Sequence, residues 1–278
     1  MTVVYTEMRI AVYIGKKGAE TENRLAELIT TLEKGGCDCY VVDAAGLFDG
    51  TDMILSVGGD GTFLSVSKLV ADSGIPIVGV NMGRVGFLSE NRPEDVAESL
   101  LSGAYTIEDR ALLCAVQLNE NGEFGEEIHA LNEVTVHRSG PAVLGVDVCL
   151  DGKNLPTYWA DGLIVSTSSG STAYSLSVGG PIVLPQSKVL IVSPIAPHNL
   201  NIRPLVVPDT SELVLRMQSR DGKYIFTADN ITRELPEGAE IKVSLAQFSL
   251  RRVRLNKSDF INALTEKLFW GEDVRNIK

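Results

Sequence analysis

The sequence has few of the features that mark secreted, membrane-bound or metal-stapled proteins. Its 278 residues include four cysteines, without a C-x-x-C pair, and three histidines, so neither a disulfide framework nor a ligand-spaced zinc motif is indicated. No apolar run approaches the roughly 20 residues of a membrane-spanning helix. The first 15 residues lack the charged-then-apolar pattern of a secretory signal. We therefore expect a cytoplasmic protein with reduced thiols and no membrane partner.

Basic residues are scarce relative to acidic ones. Lys and Arg together number 25, against 36 Asp and Glu, and the formal net charge is −11. Electrostatic capture of nucleic acid or of an anionic membrane needs clustered Lys and Arg, so neither partner is expected. An anionic ligand would have to be held locally, by backbone N–H groups, a metal ion or a few placed cations.

The pattern of apolar residues divides the chain into two parts. Up to about residue 110, short apolar runs such as Ile10–Ile14 alternate with helical patterns such as Glu22–Lys34. This alternation is typical of a mainly parallel sheet with helices on its faces. From residue 111 to 255, short strands separated by turn signals predict an antiparallel, all-β domain. An amphipathic helix is predicted over Asp259–Phe269.

The most informative motif is the glycine-rich turn Gly58-Gly59-Asp60-Gly61-Thr62, which follows an apolar strand and opens a helix. Glycines let a backbone approach a ligand closely, and the free N–H groups at a helix N-terminus suit phosphate. A carboxylate there would repel phosphate unless it binds a metal ion or takes a proton from an attacking hydroxyl. The alternative is that Asp60 only caps the helix. The P-loop motif and the G-x-G-x-x-G fingerprint are both absent.

A second candidate site is the hydroxyl-rich stretch Asp161–Pro181. Eight Ser or Thr residues lie between Ser166 and Ser177 and would supply small donors and acceptors around a polar ligand. Tyr174 offers a ring that could stack on a base. A solvated loop is the alternative, but solvated loops rarely have a buried strand and a double glycine as their flanks.

Two further segments are ambiguous by themselves. Asn132-Glu133 stands at the start of a predicted strand, where an exposed turn pair is the commoner explanation. Asn81–Glu90 is a glycine-rich turn after a strand, which a plain loop would also explain.

Taken together, in this order and at this spacing, the motifs resemble those of the NAD kinase family. The family pattern is G-G-D-G-T, N-x-G-x-x-G-F-L, N-E, a D-G strand leading into G-S-T-A-Y-x-x-S-x-G-G-P, and P-H-x-L-x-x-R-P, and every part is present between residues 58 and 204. The first motif is shared with lipid kinases and phosphofructokinases, whereas the G-S-T-A-Y block is far more specific. The resemblance implies transfer of the γ-phosphoryl group of ATP, or of another donor, to the adenosine-ribose 2′-hydroxyl of NAD.

The resemblance also implies roles for individual residues. Asp60 would accept the proton of the ribose hydroxyl, while Gly58, Gly59, Gly61 and Thr62 would hold the ATP phosphates together with Mg²⁺, with no protein residue assigned as a metal ligand. The residues that would contact NAD are Asp60, Gly61, Asn132, Glu133, Asp161, Thr172, Ala173, Tyr174, Ser175 and Ser177 and, brought from a neighbouring subunit, Ala196.

For the fold, the resemblance implies an α/β domain over residues 1–110 that carries the glycine turn and a β domain over 111–255 that carries the NAD-binding stretch. The last segment, 256–278, would pack back on the first domain, and the chain would assemble as a homodimer or homotetramer.

The chain departs from the family pattern at two places. Thr167-Ser168-Ser169 replaces the usual Thr-Pro-Thr, which frees φ at the middle position. Asp229-Asn230 replaces an Asp-Gly pair, so no role is assigned to Asn230.

Two other functions stay open. A lipid or sugar kinase could use the same glycine turn, although the hydroxyl-rich stretch disfavours it. A non-catalytic dinucleotide-binding sensor would gain nothing from the carboxylate of Asp60.

Overall fold

The chain divides into two compact units. A computed structural model describes residues 8–15, 19–44, 46–83, 86–118 and 124–270. Unit 1 consists of Met1–Asp109 and Leu250–Lys278, and unit 2 of Arg110–Ser249. Within the described ranges, no helix is both long and apolar enough to cross a membrane.

The elements follow one another in a simple order. Up to residue 110 they are β1 (Arg9–Ile14), α1 (Ala19–Lys34), β2 (Asp38–Val41), β3 (Met53–Val57), α2 (Asp60–Val70), β4 (Ile77–Val80), α3 (Pro93–Ser102) and β5 (Tyr105–Arg110). Next come β6 (Leu113–Leu118), β7 (Phe124–Ala130), β8 (Glu133–Arg138), β9 (Leu144–Leu150), β10 (Lys153–Asn154), β11 (Tyr158–Ala160), β12 (Gly162–Thr167), a 3₁₀ turn (Ser169–Thr172), α4 (Tyr174–Ser177), β13 (Val189–Ile195), β14 (Leu205–Pro208), β15 (Leu213–Gln218), β16 (Lys223–Ala228), β17 (Ile231–Pro236) and β18 (Glu240–Leu245). The last are β19 (Leu250–Leu255) and α5 (Phe260–Leu268).

Unit 1 is built on one six-stranded sheet in the order β2-β1-β3-β4-β19-β5. Strands β1 to β4 pair in parallel, and β19 joins β4 in the same direction. The apolar stripe of α1, with Leu25, Leu28 and Leu32, is buried in the core of this unit. The parallel arrangement brings the carboxyl ends of β1, β3 and β4 to the same edge of the sheet.

Unit 2 consists of two antiparallel sheets. One has the order β10-β9-β15-β18-β6-β7, with β11 beside β9, and the other has the order β14-β13-β12-β8-β16-β17. Residues of both sheets, such as Leu163, Leu215 and Phe226, form a single apolar core. The predicted combination of an α/β part and an all-β part is therefore confirmed.

The structure differs from the sequence-based predictions in two details. Strand β19 belongs to the sheet of unit 1, so the units divide before residue 250 and not after 255. The apolar pattern predicts a helix over Phe63–Ala71, but α2 begins three residues earlier, at Asp60, so the carboxylate lies in the first helical turn. Residues 84 and 85 of the Asn81–Glu90 segment, and residues 271–278 of the last predicted segment, lie outside the described ranges.

A buried ion pair in unit 1 provides a test of this core. Arg252 of β19 donates from Nη2 to Glu90 Oε1 at 2.5 Å, and the two side chains are only 5% and 11% exposed. Because Arg252→Met leaves the Glu90 carboxylate buried without this partner, the free energy of unfolding should fall by about 3–5 kcal/mol. The control Arg216→Met breaks an exposed pair with Glu240 and should cost less than about 1 kcal/mol. Equal losses in urea unfolding would contradict the prediction.

Candidate active site

A cleft of about 670 Å³ opens in unit 1 at the carboxyl ends of β1, β3 and β4. Crevices at this edge of an open parallel sheet are where such folds bind ligands. The lining residues are Tyr13, Ile14, Gly15, Gly58, Gly59, Gly61, Thr62, Ser65, Asn81, Met82 and Gly83. The four residues predicted to bind phosphate, Gly58, Gly59, Gly61 and Thr62, are all among them.

The glycines of the turn make room for the first turn of α2. A Cβ atom on Gly58 would lie 2.3 Å from Thr62 Oγ1, and one on Gly15 would lie 2.4 Å from the same atom. The helix begins after Gly59, which makes no side-chain cap. The N–H of Gly58 donates to the Val80 carbonyl and that of Thr62 to the Gly59 carbonyl, both at 2.9 Å. The N–H groups between them, at the start of the helix, are therefore the ones suited to an anion.

The Asp60 carboxylate does not cap α2 but binds the segment that follows β4. Oδ2 accepts the N–H of Phe87 at 2.9 Å, and Oδ1 accepts those of Leu88 and Ser89 at 3.0 and 2.9 Å. A Cβ on Gly86 would lie 1.9 Å from Oδ1, so a side chain at position 86 would prevent this approach. A carboxylate offers about four acceptor positions. Three are taken by these amides, which leaves one on Oδ2 for a hydroxyl.

In unit 2 a second aspartate holds the Asn132-Glu133 pair in the same way. The Asp229 carboxylate accepts the N–H groups of Leu131, Asn132 and Glu133 at 2.8, 3.0 and 3.2 Å. Asp229 itself has a left-handed backbone, with φ of 49°. No role was predicted for Asp229, because only its place before Asn230 in a turn distinguishes it in the sequence.

Among the predicted NAD-contacting residues of unit 2, Glu133 has the largest shift in pKa. Burial, followed by the negative charge of Asp229, raises the pKa of its carboxyl group to about 7. Its Oε2 atom is buried without a hydrogen-bond partner in the described part of the chain. Near neutral pH this carboxyl is therefore divided between its two protonation states.

Asp161 and Tyr174 are held by neighbours on β8. Arg138 donates from Nε to Asp161 Oδ1 at 2.7 Å. The Tyr174 ring stacks on His137, with centroids 5.7 Å apart and planes inclined by 12°. Burial lowers the pKa of His137, which favours the neutral imidazole. One face of the Tyr174 ring is thus covered, and the residue is 37% exposed, so the other face is open to a stacking partner.

Much of the hydroxyl-rich stretch faces inward. Thr167 donates to the Leu131 carbonyl, Ser168 to that of Pro185 and Ser171 to that of Val183, at 2.6, 2.9 and 3.1 Å. The stretch is not a solvated loop but folds into the 3₁₀ turn and α4.

The residues predicted to contact NAD from this stretch differ in exposure. Ser175 is fully buried, and its hydroxyl lies 3.2 Å from that of Ser193, which favours a packing role over the NAD contact that the resemblance implies. Thr172 and Ala173 are half-buried, and Ser177 is exposed. Ala196 is exposed in a left-handed conformation, with φ of 45°.

Unit 2 also collects three side chains that the sequence spacing did not suggest as neighbours. Cys114, Glu127 and His129 each place one potential metal-ligand atom within 4.8 Å of the other two. Cys114 and His129 meet because they are paired across β6 and β7. The set offers sulfur, nitrogen and oxygen donors of the kind that zinc accepts.

Comparison with known proteins identifies the family. Residues 12–104 match the family model described as the ATP-NAD kinase N-terminal domain, and residues 131–255 match the ATP-NAD kinase C-terminal domain. The NAD kinase of Bacteroides fragilis is 36% identical over 294 residues, covering 96% of this chain and 100% of that protein. The NAD kinase of Porphyromonas gingivalis is 42% identical over 241 residues, covering 85% and 82%.

Solved structures with this fold carry the same family names. A yeast NADH kinase complexed with NADH superposes with a TM-score of 0.87 at 24% identity, covering 98% of this chain and 90% of that one. An NAD kinase from Archaeoglobus fulgidus in complex with ATP gives 0.74 at 27% identity, covering 93% and 98%. The resemblance drawn from the motifs is confirmed: the chain belongs to the NAD kinase family.

Proposed function

We propose that this protein transfers the γ-phosphoryl group of ATP to the 2′-hydroxyl of the adenosine ribose of NAD, giving NADP. The observation that carries the proposal is the Asp60 carboxylate, which three amides hold in the first turn of α2, where the neighbouring residues Gly59 and Gly61 line the cleft. The amides take three of the acceptor positions of the carboxylate, and the fourth, on Oδ2, suits the hydroxyl that a kinase phosphorylates. The NAD kinases that share 36% to 42% of their residues with it support the same substrates.

In this proposal unit 1 does the chemistry mainly by positioning. The N–H groups of the glycine turn other than those of Gly58 and Thr62, which donate to backbone carbonyls, bind the phosphates. Asp60 accepts a hydrogen bond from the attacking hydroxyl through the free position on Oδ2. The hydroxyl is thereby oriented for in-line attack, and its proton has an acceptor as the new P–O bond forms. The transition state for phosphoryl transfer is loose, so orientation and charge stabilisation matter more than full deprotonation beforehand.

Mg²⁺ fits the donors of this cleft. Thr62 and Ser65, which carry hydroxyl oxygens, are among the lining residues, and Mg²⁺ prefers such oxygen ligands together with phosphates and water. We propose that the phosphates of ATP would supply most of the ligands of the ion and that Thr62 and Ser65 would supply protein oxygens. When bound, Mg²⁺ neutralises charge on the transferring phosphoryl group.

Unit 2 supplies the proposed NAD contacts. Glu133 and Asp161 carry carboxylates suited to accept ribose hydroxyls, and Asn132 adds an amide. The open face of Tyr174 would stack on the adenine ring. Thr172, Ala173 and Ser177 would complete this surface.

Assembly and location complete the proposal. We propose a homodimer or homotetramer in which the exposed Ala196 contacts the NAD of a neighbouring subunit, since a strained non-glycine residue at an exposed position suggests a functional constraint. We also propose a cytoplasmic location, because the four cysteines are unpaired.

The direct test is phosphoryl transfer by the purified protein, measured with a coupled NADP-dependent dehydrogenase when NAD is the acceptor and by detection of the phosphorylated product for every other acceptor. ATP, another nucleoside triphosphate and polyphosphate would serve as donors, and NAD, NADH, a diacylglycerol and fructose 6-phosphate as acceptors. We expect phosphorylation of NAD or NADH alone among the acceptors. Phosphorylation of the lipid or the sugar, or binding of NAD without turnover, would overturn the proposal.

Tyr174→Ala should raise the KM for NAD more than the KM for ATP. The substitution removes the open stacking face and leaves the glycine turn unchanged, so the loss should be about 1 kcal/mol, or roughly 5-fold in KM. Tyr158→Ala is a control for general damage, because Tyr158 is buried in the core of unit 2. If Tyr174→Ala changes both KM values equally, the ring supports the fold and not NAD.

Glu133→Gln should change how stability depends on pH. The folded protein holds a proton on Glu133 up to about pH 7, whereas in the unfolded chain a glutamate ionises near its ordinary value of about 4.3. The stabilisation is therefore full below that ordinary value and is lost as pH rises through 7. At pH 8 the Gln variant should be more stable than wild type by up to about 3 kcal/mol, and at pH 4 about equal. A difference that does not depend on pH would contradict the assigned shift.

A further inference from the structure

Lys267, near the end of α5, contacts residues 86–89, the Asp60-holding segment. Its ammonium group donates to the Gly86 carbonyl oxygen and lies 4.3 Å from the centroid of the Phe87 ring. The side chain is half-buried, and burial lowers the pKa of its amine, while the charges of Glu90 and Asp60 act in the opposite direction. A cation that is partly withdrawn from water interacts more strongly with a carbonyl and an aromatic face.

The carbonyl of Gly86 and the N–H of Phe87 belong to one peptide group. Lys267 binds the oxygen of this group, and Asp60 Oδ2 accepts its hydrogen at 2.9 Å. The three groups therefore form a continuous chain, from ammonium through the peptide to carboxylate. Hydrogen bonds in such chains polarise one another, and a peptide plane fixed at both ends cannot rotate away.

Other contacts of α5 keep Lys267 in place. Asp259 caps the helix by accepting the N–H of Ile261 at 3.0 Å, and Ala263 and Leu264 are buried. The Phe260 ring packs against that of Phe87, with centroids 6.1 Å apart. The helix is thus attached to the Asp60-holding segment through both an apolar contact and a charged one.

We propose that Lys267 is a positioning residue for phosphoryl transfer, which fixes the Gly86–Phe87 peptide so that Asp60 Oδ2 presents its free acceptor position to the substrate hydroxyl. The inference rests on the proposed function. It gives the carboxyl-terminal helix a part in the reaction. The helix sets the position of the Asp60 carboxylate through the Gly86–Phe87 peptide and not through a direct hydrogen bond. It also accounts for placing a lysine at a half-buried position, where a cation is otherwise unfavourable.

The test compares three single variants by steady-state kinetics. Lys267→Met keeps the length and the apolar stem but removes the ammonium, so kcat should fall about 10-fold or more while the KM for ATP stays within about 2-fold. Lys267→Arg keeps a charged donor that can also stack on Phe87, and it should recover most of the loss. Lys257→Met removes an exposed lysine that pairs with Asp95 and Glu98 and should keep wild-type kcat.

A double variant separates positioning from general damage. If Lys267 acts through Asp60, Lys267→Met should cost little further kcat in an Asp60→Asn background, because the group it positions has already been replaced. The same 10-fold loss in both backgrounds, or full kcat in Lys267→Met, would overturn the inference. Should the Met variant melt below the assay temperature, Lys267→Gln takes its place with the same expected loss.

The two proposals fail differently. If wild-type protein does not phosphorylate NAD, the proposed function is wrong. If wild type is active and Lys267→Met keeps its kcat, only the role of Lys267 is wrong.

Discussion

A carboxylate held by three consecutive backbone N–H groups is the interaction on which the candidate residues of each unit depend. Asp60 is held by residues 87–89 and Asp229 holds residues 131–133. Hydrogen bonds from amides to an ionised acceptor are stronger than those between neutral groups. In unit 1 the aspartate is itself the proposed reacting group, whereas in unit 2 it fixes the main chain that carries Asn132 and Glu133. The same interaction therefore fixes a side chain in unit 1 and a stretch of main chain in unit 2.

The close contacts around these two site segments require glycine at particular positions. They also involve residues that are far away in the sequence. A Cβ on Gly86 would overlap the Asp60 carboxylate, and a Cβ on Gly170 would lie 2.1 Å from the Asn132 carbonyl oxygen. The Asp60-holding segment is fixed from its other side by Lys267, 181 residues further along the chain. The geometry of the glycine turn therefore depends on β4, the segment after it and the last helix.

The apolar pattern predicted most strands whose residues are buried, and also the edge strand β2. Strands β5, β7, β10, β14 and β17 were not predicted, and each lies at the end of its sheet, where exposed residues weaken the apolar pattern. The short β11, beside β9, was not predicted either, and nor was β19, which lies inside the sheet of unit 1 but has its apolar residues interrupted by three arginines. The glycine turn was predicted because its residues are adjacent in sequence. The partners of Asp60 and Asp229 could not be predicted, because they lie 27 to 29 and 96 to 98 residues away. The Ser and Thr content of residues 166–177 indicated a polar segment but not which side chains point inward, so the burial of Ser175 was not predicted.

The central claim, that the amide-held Asp60 carboxylate orients the attacking hydroxyl, is tested most directly by Asp60→Asn. Asn keeps an oxygen for the amides of Leu88 and Ser89, but its NH₂ group then faces the Phe87 N–H, so stability should fall by about 1–3 kcal/mol. In a variant confirmed as folded by thermal melting, kcat should fall roughly 10²- to 10⁴-fold. The Kd for NAD, measured by calorimetry without ATP, should change by less than about threefold, because Asn132, Glu133 and Tyr174 are unaltered. A folded Asp60→Asn protein with wild-type kcat would contradict the account.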